Sequence, residues 1–226
     1  IRAAAKRLDG HAIRTPVHTC STVDAMADRR LFFKCEQFQK VGAFKMRGAA
    51  NMIFGFRPED RINGFATHSS GNHAQAVALA SKLAGTKAFV VMPKNSSKVK
   101  IEAVKEYGAE IIFCEPNEQS RQEVCDQVLA DTGAVFVHPF DDQEVIVGQG
   151  TIGLEIINQR KNPLDAIFVP VGGGGLLAGI ATYVAHHWPN TKIYGVEPED
   201  AACLKLAFEA GTPEKLEEVG LFVDGC

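Results

Sequence analysis

Long basic runs and long apolar runs are both missing from this 226-residue sequence. Its 27 aspartate and glutamate residues outnumber its 24 lysine and arginine residues, which gives a formal net charge of −3. A nucleic-acid-binding domain needs a basic patch, and no lysine or arginine run here would form one. No apolar run approaches the roughly 20 residues that a membrane-spanning helix needs. We therefore expect neither nucleic acid nor a membrane among its partners.

Closely spaced cysteine pairs are also missing. The six cysteines contain no C-x-x-C pair and lie far apart in the sequence: Cys20, Cys35, Cys114, Cys125, Cys203 and Cys226. This spacing predicts reduced, mostly buried thiols and a cytoplasmic protein, without a disulfide framework or a zinc site. The sequence begins at Ile1 and not at methionine, so the true N-terminus, with any organelle-targeting segment, can lie upstream.

Strand-like and helix-like segments alternate along most of the sequence. Short runs rich in β-branched and aromatic residues predict strands at 30–36, 64–68, 87–93, 110–115, 134–139, 165–171 and 191–197. Helical periodicity predicts helices at 44–56, 71–85, 96–108, 118–133 and 175–188, and a loop followed by a helix at 144–160. This alternation is typical of an α/β fold with a mostly parallel sheet, in which 165–171 is the clearest buried strand. Ligands of such folds bind at the carboxyl ends of the strands.

The loop after the strand 165–171 contains four consecutive glycines, Gly172 to Gly175. Glycines without side chains let backbone N–H groups surround an anion at a helix N-terminus, which predicts a phosphate site. The spacing Gly173-x-Gly175-x-x-Ala178, followed by Glu197 after the next strand, also fits a dinucleotide-binding fingerprint. From the loop alone, an NAD site therefore stays open.

Two further segments carry candidate site residues. The polar turn Ser69-Ser70-Gly71-Asn72-His73 lies between a predicted strand and a helix, where its amides can hold a carboxylate or simply cap the helix. Lys45 follows Phe44 in the apolar segment "GAFKMRG". A lysine in such a segment is either an amphipathic side chain with its amine in water or a buried amine that serves as a nucleophile.

Taken together and in this order, the motifs resemble the fold-type-II pyridoxal-phosphate enzymes, the tryptophan-synthase-β-like group. Within that group the sequence is similar to serine/threonine dehydratases and serine racemases. The resemblance runs over nearly the whole chain and is carried mainly by "TPV" at 15–17, "KCEQFQKVGAFKMRGA" at 34–49, "THSSGNHAQ" at 67–75, "GQGTIGLEI" at 148–156 and "VPVGGGGLLAGI" at 169–180. It decides against the dinucleotide interpretation.

The resemblance implies a role for each candidate residue. Lys45 would bind pyridoxal 5'-phosphate covalently as a Schiff base and act as a base at the substrate Cα, with Phe44 beside the cofactor ring. Asn72 would bind the cofactor's 3′-hydroxyl. The N–H groups of Gly172, Gly173, Gly174, Gly175 and Leu176 would hold the cofactor phosphate. Ser69, Ser70, Asn72 and His73 would hold the substrate carboxylate, and Ser70 matches a second catalytic residue of the racemases.

The activity implied by the resemblance is a threonine/serine ammonia-lyase, of the kind used in isoleucine biosynthesis, which converts L-threonine or L-serine to a 2-oxo acid and ammonia. A serine racemase or a hydroxyaspartate dehydratase is the alternative within the family. A non-catalytic paralogue is the alternative outside enzymes. The expected partners are a small amino-acid substrate and further copies of the chain, in a homodimer or homotetramer.

The resemblance also predicts a division into two domains, each with a mostly parallel sheet covered by helices. A larger cofactor-binding domain would comprise 1–54 and 143–226, and a smaller domain 55–142. Family members continue beyond this point, so we expect the larger domain to be incomplete here. Serine racemases use a glutamate at the position of Glu197 and an aspartate six residues later for a divalent cation; this chain has Cys203 there. Because Mg²⁺ and Ca²⁺ prefer oxygen ligands, we expect no metal site and a capping or solvated role for Glu197.

Overall fold

The computed structural model describes residues 1–214, 216, 219, 220 and 223. Parallel pairing dominates, as the alternating pattern predicts. The strands are β1 Val17–His18, β2 Phe33–Lys34, β3 Phe65–His68, β4 Ala88–Pro93, β5 Glu110–Cys114, β6 Val135–Phe136, β7 Ala166–Pro170 and β8 Lys192–Val196. The helices are α1 Arg2–Arg7, α2 Ser21–Ala27, α3 Lys45–Gly55, α4 Asn72–Leu83, α5 Lys98–Glu106, α6 Glu118–Thr132, α7 Gln143–Gln149, α8 Thr151–Gln159, α9 Gly175–His187 and α10 Cys203–Ala210.

The strands form three sheets among the described residues. The largest has the order β5-β4-β3-β6 and is parallel throughout. Strands β7 and β8 form a parallel pair, and β1 and β2 form an antiparallel pair. The four-stranded sheet lies within the segment predicted as the smaller domain, and the β7–β8 pair within the segment predicted as the larger one. The division into two domains itself stays a prediction.

Strand β7 is less buried than its sequence predicts. Its only hydrogen-bonded neighbour among the described strands is β8. Ile167 and Val169 are buried against α8 and α9, but Phe168 is 67% exposed and stacks on Tyr194, which is 43% exposed. A continuous apolar run indicates a strand covered on both faces only when further elements lie on the second face.

Segment 144–160 contains two helices, so the predicted loop at its start is wrong. Helix α7 begins after Asp142, whose side chain accepts a hydrogen bond from the Val145 amide at 3.0 Å. It ends at Gln149, and α8 follows after Gly150. The predicted strands 30–36 and 134–139 contain only two strand residues each, in β2 and β6.

Helix α3 lies at the centre of the fold and begins at Lys45. Every residue from Met46 to Ile53 is buried. The side chain of Arg47 is only 1% exposed and forms ion pairs with Glu36 at 2.8 Å and with Glu155 of α8 at 2.6 Å. A buried charge is tolerated only when it is paired. These two ion pairs therefore hold helix α3 to the segment that precedes it and to helix α8.

Three of the five cysteines in the described part of the chain are buried, as predicted for most of them. Cys35, Cys114 and Cys125 are buried free thiols, Cys203 is half-buried and Cys20 is exposed. Cys226 lies outside the described residues. No helix in the described part of the chain is both long and apolar enough to span a membrane.

Candidate active site

Lys45 lies at the first position of α3, where the preceding backbone turns sharply. Val41 and Gly42 both have positive φ values, 59° and 67°. A β-branched residue at such a φ is strained, which indicates that its surroundings fix this turn. The turn directs Lys45 inwards: its Nζ donates a hydrogen bond to the Pro139 carbonyl at 2.7 Å and lies 5.2 Å from the centroid of the Phe44 ring. Burial lowers the pKa of Lys45 from 10.5 to about 8.

The four-glycine loop connects β7 to α9 and forms a backbone cradle. Gly174 has a φ of +83°, which favours glycine, and caps α9. The first N–H groups of a helix have no partner within it, and in the described part of the chain no acceptor takes the amides of Gly172 to Leu176. A Cβ at Gly173 would overlap the ring of Phe140, and one at Gly175 would lie 2.5 Å from the Phe140 carbonyl oxygen. The loop therefore presents unpaired N–H groups and has no room for side chains.

One cavity brings the lysine and the glycine loop together. Its lining consists of Phe44, Lys45, Pro139, Phe140, Gln149, Pro170, Gly172, Gly173, Gly174, Gly175 and Leu176. Its volume is about 50 Å³, far below the roughly 300 Å³ at which ligand pockets usually begin. Side chains of the lining therefore have to move when a cofactor-sized ligand enters.

The polar turn between β3 and α4 does not line this cavity. Ser69 and Ser70 are half-buried, and the Ser69 hydroxyl accepts a hydrogen bond from the Gly71 amide at 3.3 Å. Asn72 is exposed at the first position of α4. The predicted substrate-binding and 3′-hydroxyl-binding roles of these residues stay predictions.

The side chain of His73 is turned away from solvent into the protein. Its Nε2 lies 2.9 Å from the Val137 carbonyl, to which it donates, and its Nδ1 is buried without a partner in the described part of the chain. Burial, with the charge of Lys45 as the next cause, lowers the pKa of His73 to about 3, so the ring is neutral. A contribution of His73 to carboxylate binding would therefore come from its backbone amide at the start of α4.

Sequence reasoning missed the segment that closes the cavity from the other side. His138, Pro139 and Phe140 follow β6, and the predicted strand 134–139 ran into them. Gln149 was also missed; it is 1% exposed, and its Oε1 accepts the Gly48 amide at 3.1 Å. The segment from His138 to Phe140 could have been predicted, because it follows β6 and so lies at the carboxyl end of a strand, where ligands of parallel sheets bind.

Glu197 caps a helix, as the capping interpretation predicts. Its carboxylate accepts hydrogen bonds from the Leu204 amide at 2.7 Å and the Lys205 amide at 2.9 Å, at the start of α10. The Cys203 thiol lies 3.4 Å from the Gly172 carbonyl and 3.5 Å from Glu197 Oε1. Within the described ranges, no group of three histidine, cysteine, aspartate or glutamate side chains could hold a metal ion.

Comparison with known proteins identifies the family. The model of the family described as "Pyridoxal-phosphate dependent enzyme" matches residues 8–226. The chain belongs to this family. Its fold is that of the fold-type-II members, and pyridoxal phosphate is the cofactor of the family.

The relatives within this family have several activities in their names. A serine racemase from Oryza sativa subsp. indica is 42% identical over 225 residues, covering 100% of this chain and 66% of the relative. A beta-hydroxyaspartate dehydratase from Paracoccus denitrificans (strain Pd 1222) is 43% identical over 209 residues, covering 92% of this chain and 66% of the relative.

Two solved structures of the family have the same fold. The structure of maize serine racemase matches with a TM-score of 0.94 and 43% identity, covering 97% of this chain and 66% of that one. The processed form of threonine deaminase isoform 2 from Solanum lycopersicum matches with a TM-score of 0.92 and 38% identity, covering 99% and 66%. The chain thus spans about two thirds of the length of these relatives.

The cavity offers groups that suit the family's cofactor. An amine with a pKa of about 8 condenses with an aldehyde near neutral pH more readily than an ordinary lysine, because a much larger fraction of it is unprotonated. The unpaired amides of the glycine loop suit a phosphate, and the Phe44 ring provides an apolar surface beside the amine. The residues present therefore fit pyridoxal phosphate, with Lys45 at one end of the site and the glycine loop at the other.

Proposed function

We propose that this chain is the cofactor-binding part of a pyridoxal-phosphate enzyme that removes the α-proton of a small amino acid such as serine. The observation that carries the proposal is the buried Lys45 amine, whose pKa is lowered to about 8, in the same cavity as the unpaired amides of the glycine loop. Racemisation of serine is the proposed main reaction, because serine racemases are 42% to 48% identical to the chain.

The residues of the cavity would divide the work as follows. The amides of Gly172 to Leu176 would bind the cofactor phosphate, and Phe44 would pack beside the ring. Bound pyridoxal phosphate supplies an electron sink for the negative charge that develops at Cα. Lys45, released from the cofactor by the substrate amine, would accept the α-proton at Nζ. A lysine with an ordinary pKa would be protonated at neutral pH and would be a poor base.

Racemisation needs a second group, because the proton must return to the opposite face of Cα. We propose the Ser70 hydroxyl for this role, on the resemblance to the racemases. The turn from Ser69 to Asn72 lies at the start of α4, and its amides would orient the substrate carboxylate. Elimination needs only Lys45, since the β-hydroxyl would leave as water with the proton that Lys45 has taken from Cα. The two reactions would therefore depend on Ser70 to different degrees.

A dehydratase acting on threonine, serine or hydroxyaspartate is the second candidate. The similarity to threonine deaminase, at 38% identity, and to the hydroxyaspartate dehydratase favours it. A threonine dehydratase was the first expectation from the sequence, and the identities to curated racemases favour the alternative. A non-catalytic paralogue is disfavoured by the intact lysine and glycine loop.

A panel of substrates distinguishes the racemase from the dehydratase. We expect the full-length protein to convert L-serine to D-serine, with slower release of 2-oxo acid from L-serine, L-threonine and hydroxyaspartate. Chiral chromatography and a 2-oxo acid assay would measure both products. Fast 2-oxo acid release from L-threonine without D-serine formation would show that the protein is a dehydratase and not a racemase. Absence of any turnover, with the cofactor bound, would support the non-catalytic paralogue.

Substitution of Ser70 tests the proposed division of roles. We expect Ser70→Ala to reduce D-serine formation on the order of a hundredfold or more, the usual contribution of a general acid or base. Elimination should fall much less. Ser96→Ala is the control, because the Ser96 hydroxyl is buried without a partner in the described part of the chain. Equal losses of both reactions in Ser70→Ala would contradict the proposed role.

A further inference from the structure

Two buried side chains hold the end of β6, just before the turn that follows it. The Val137 carbonyl accepts hydrogen bonds from the Thr67 hydroxyl and from His73 Nε2, both at 2.9 Å. Thr67 and His73 are themselves buried, so this end of β6 is anchored to β3 and α4. The chain then continues through His138, Pro139, Phe140 and Asp141 to the start of α7, a segment that we call the 138–141 turn.

His138 closes this turn on itself. Its Nδ1 accepts the Asp141 amide at 2.7 Å and the Phe140 amide at 3.2 Å. The His138 ring also meets the Phe140 ring edge-to-face, with centroids 4.7 Å apart. A nitrogen that accepts two N–H groups carries no proton, so the ring is the neutral tautomer with its proton on Nε2. The geometry is that of an Asx turn, with an imidazole in place of the usual short side chain.

The 138–141 turn contacts both halves of the candidate active site. The Pro139 carbonyl accepts the Lys45 Nζ hydrogen bond at 2.7 Å. The Phe140 backbone and ring lie directly against Gly175 and Gly173. An amine that donates one hydrogen to a fixed carbonyl has its lone pair directed elsewhere, so the position of Pro139 restricts where the Lys45 lone pair can point. His138 makes no hydrogen bond to this amine in the described part of the chain; its Nδ1 accepts the Phe140 and Asp141 amides, so it positions Lys45 through the turn.

We propose that His138 is a positioning residue for cofactor binding: its two accepted hydrogen bonds hold the Pro139 carbonyl at the Lys45 amine and the Phe140 backbone at the glycine loop. The inference rests on the proposed function, since it gives Lys45 the cofactor-binding role. Without the His138 acceptor, two amides lose their partner and the turn gains conformations in which Lys45 is not oriented. Loss of orientation slows the condensation of an amine with an aldehyde and weakens the product complex.

Burial keeps the His138 acceptor available at neutral pH, against the two nearby carboxylates. Burial lowers the pKa of His138, the nearby Asp141 and Asp142 raise it, and Lys45 lowers it. The neighbouring rings His68 and His73 also have lowered pKa values and stay neutral. Protonation of Nδ1 would remove the acceptor. The two hydrogen bonds that His138 accepts therefore persist above its lowered pKa and are lost in acid.

Three substitutions separate the acceptor from the ring. His138→Ala removes both, and His138→Phe keeps an aromatic ring without the acceptor. His138→Asn keeps an acceptor that reaches the amides two and three residues ahead, as in an ordinary Asx turn. Each variant is titrated with pyridoxal phosphate, and the yellow absorbance of the lysine-bound cofactor gives the dissociation constant and the rate of binding. Thermal unfolding of the cofactor-free variants shows that they fold, and Lys45→Ala defines the absorbance that depends on the lysine.

We expect His138→Ala and His138→Phe to weaken cofactor binding on the order of tenfold and to slow it by a similar factor. His138→Asn should stay within about threefold of the wild type. The cofactor affinity of the wild type should fall as the pH is lowered through the pKa of His138. His138→Asn should lack this acid limb of the pH profile. A role in stability alone would lower the melting temperature and leave this limb unchanged.

Wild-type affinity in His138→Ala would overturn the inference without touching the proposed function. An affinity in His138→Asn as weak as that of His138→Ala would do the same. Faster binding by His138→Ala would also overturn it, because the turn would then obstruct the cofactor. A wild-type protein with no lysine-dependent absorbance would overturn both the inference and the proposed function. The two failures are thus distinguishable.

Discussion

Lys45 shows how far a single residue can be understood from sequence. A lysine between apolar neighbours fits either a solvent-exposed amine on an amphipathic helix or a buried amine, and the local sequence cannot decide. In the structure, the strained turn at Val41 and Gly42 directs the side chain inwards, where it meets the Pro139 carbonyl. That carbonyl is 94 residues away in the sequence, and it follows a strand that was predicted too long. Contacts between residues so far apart in the sequence cannot be predicted from its hydrophobic periodicity.

The buried amine of Lys45 has a cost in stability that depends on pH. Its folded-state pKa of about 8 lies below the ordinary value of 10.5. The folded protein therefore binds fewer protons than the unfolded chain between these values, and the cost is fully present below pH 8. We expect cofactor-free Lys45→Met to be more stable than the wild type by about 3 kcal/mol at pH 7, with most of the difference disappearing as the pH approaches 10.5.

Urea unfolding of the cofactor-free proteins at a series of pH values measures this difference. Lys98→Met is the matched control, because Lys98 is an exposed lysine at the first position of α5. It should leave the stability nearly unchanged. A stability difference between Lys45→Met and the wild type that does not vary with pH would contradict the expectation.

At the scale of helices, the glycines of the motifs "RGA" and "GQG" have a structural explanation. Gly48 of α3 and Gly148 of α7 face each other, so that a Cβ at Gly148 would lie 2.6 Å from the Arg47 carbonyl oxygen and 2.7 Å from the Gly48 Cα. Gly150 faces Gly179 of α9 in the same way: a Cβ at Gly179 would lie 2.6 Å from the Gly150 amide nitrogen. Backbone-to-backbone contacts thus join the helix that begins at Lys45 to the helix that follows the glycine loop.

Gly148→Ala should be strongly destabilising because its Cβ would meet backbone atoms, which cannot rotate away. We expect a loss of about 3 kcal/mol, at the upper end for overpacked cores. Gly55→Ala is the control in α3, since its Cβ would lie 3.7 Å from the nearest atom, in Arg7, and alanine favours a helix. It should stabilise the protein by about 0.5 kcal/mol. Chemical unfolding of both variants measures the two changes, and a Gly148→Ala variant as stable as Gly55→Ala would contradict this picture of the crossing.

Most helices could be predicted from the sequence, and the exceptions have physical causes. Helix α5 lies within the predicted range 96–108 and begins after Ser97, whose hydroxyl accepts the Lys100 amide. Helix α9 ends at His187, one residue before the end of the predicted range 175–188. Helix α7 was missed because Val145, Ile146 and Val147 favour strands, whereas its packing on α3 and its cap at Asp142 favour a helix. Tertiary contacts therefore outweigh the local preference at this point.

At the scale of the whole molecule, the two parallel sheets differ in burial. Every residue of β4 is buried, in the middle of the four-stranded sheet. Strand β8 is exposed at four of its five positions. The alternating pattern of the sequence predicted both strands equally well, because it reports local periodicity and not how many layers cover a strand. The parallel sheet class was therefore predictable, and the burial of its individual strands was not.

This difference predicts an uneven resistance to local opening. Backbone amides open more readily where few apolar contacts cover them. We expect peptides covering Ala88–Pro93 to exchange their amide hydrogens at least about tenfold more slowly than peptides covering Lys192–Val196. Hydrogen exchange of the chain 1–226, followed by mass spectrometry, measures both rates in one sample. Equal protection of the two strands would show that the β7–β8 pair is covered in solution.

The glycine contacts between α3, α7 and α9 also limit how such a protein can change over evolutionary time. Ordinary cores drift through compensating substitutions, in which one side chain becomes larger as its neighbour becomes smaller. At Gly148 and Gly179 there is no side-chain volume to exchange, since the neighbours are backbone atoms. A substitution there has no side-chain partner that could compensate for it, so we expect divergence to accumulate elsewhere in the chain and the spacing between the lysine helix and the glycine-loop helix to be retained.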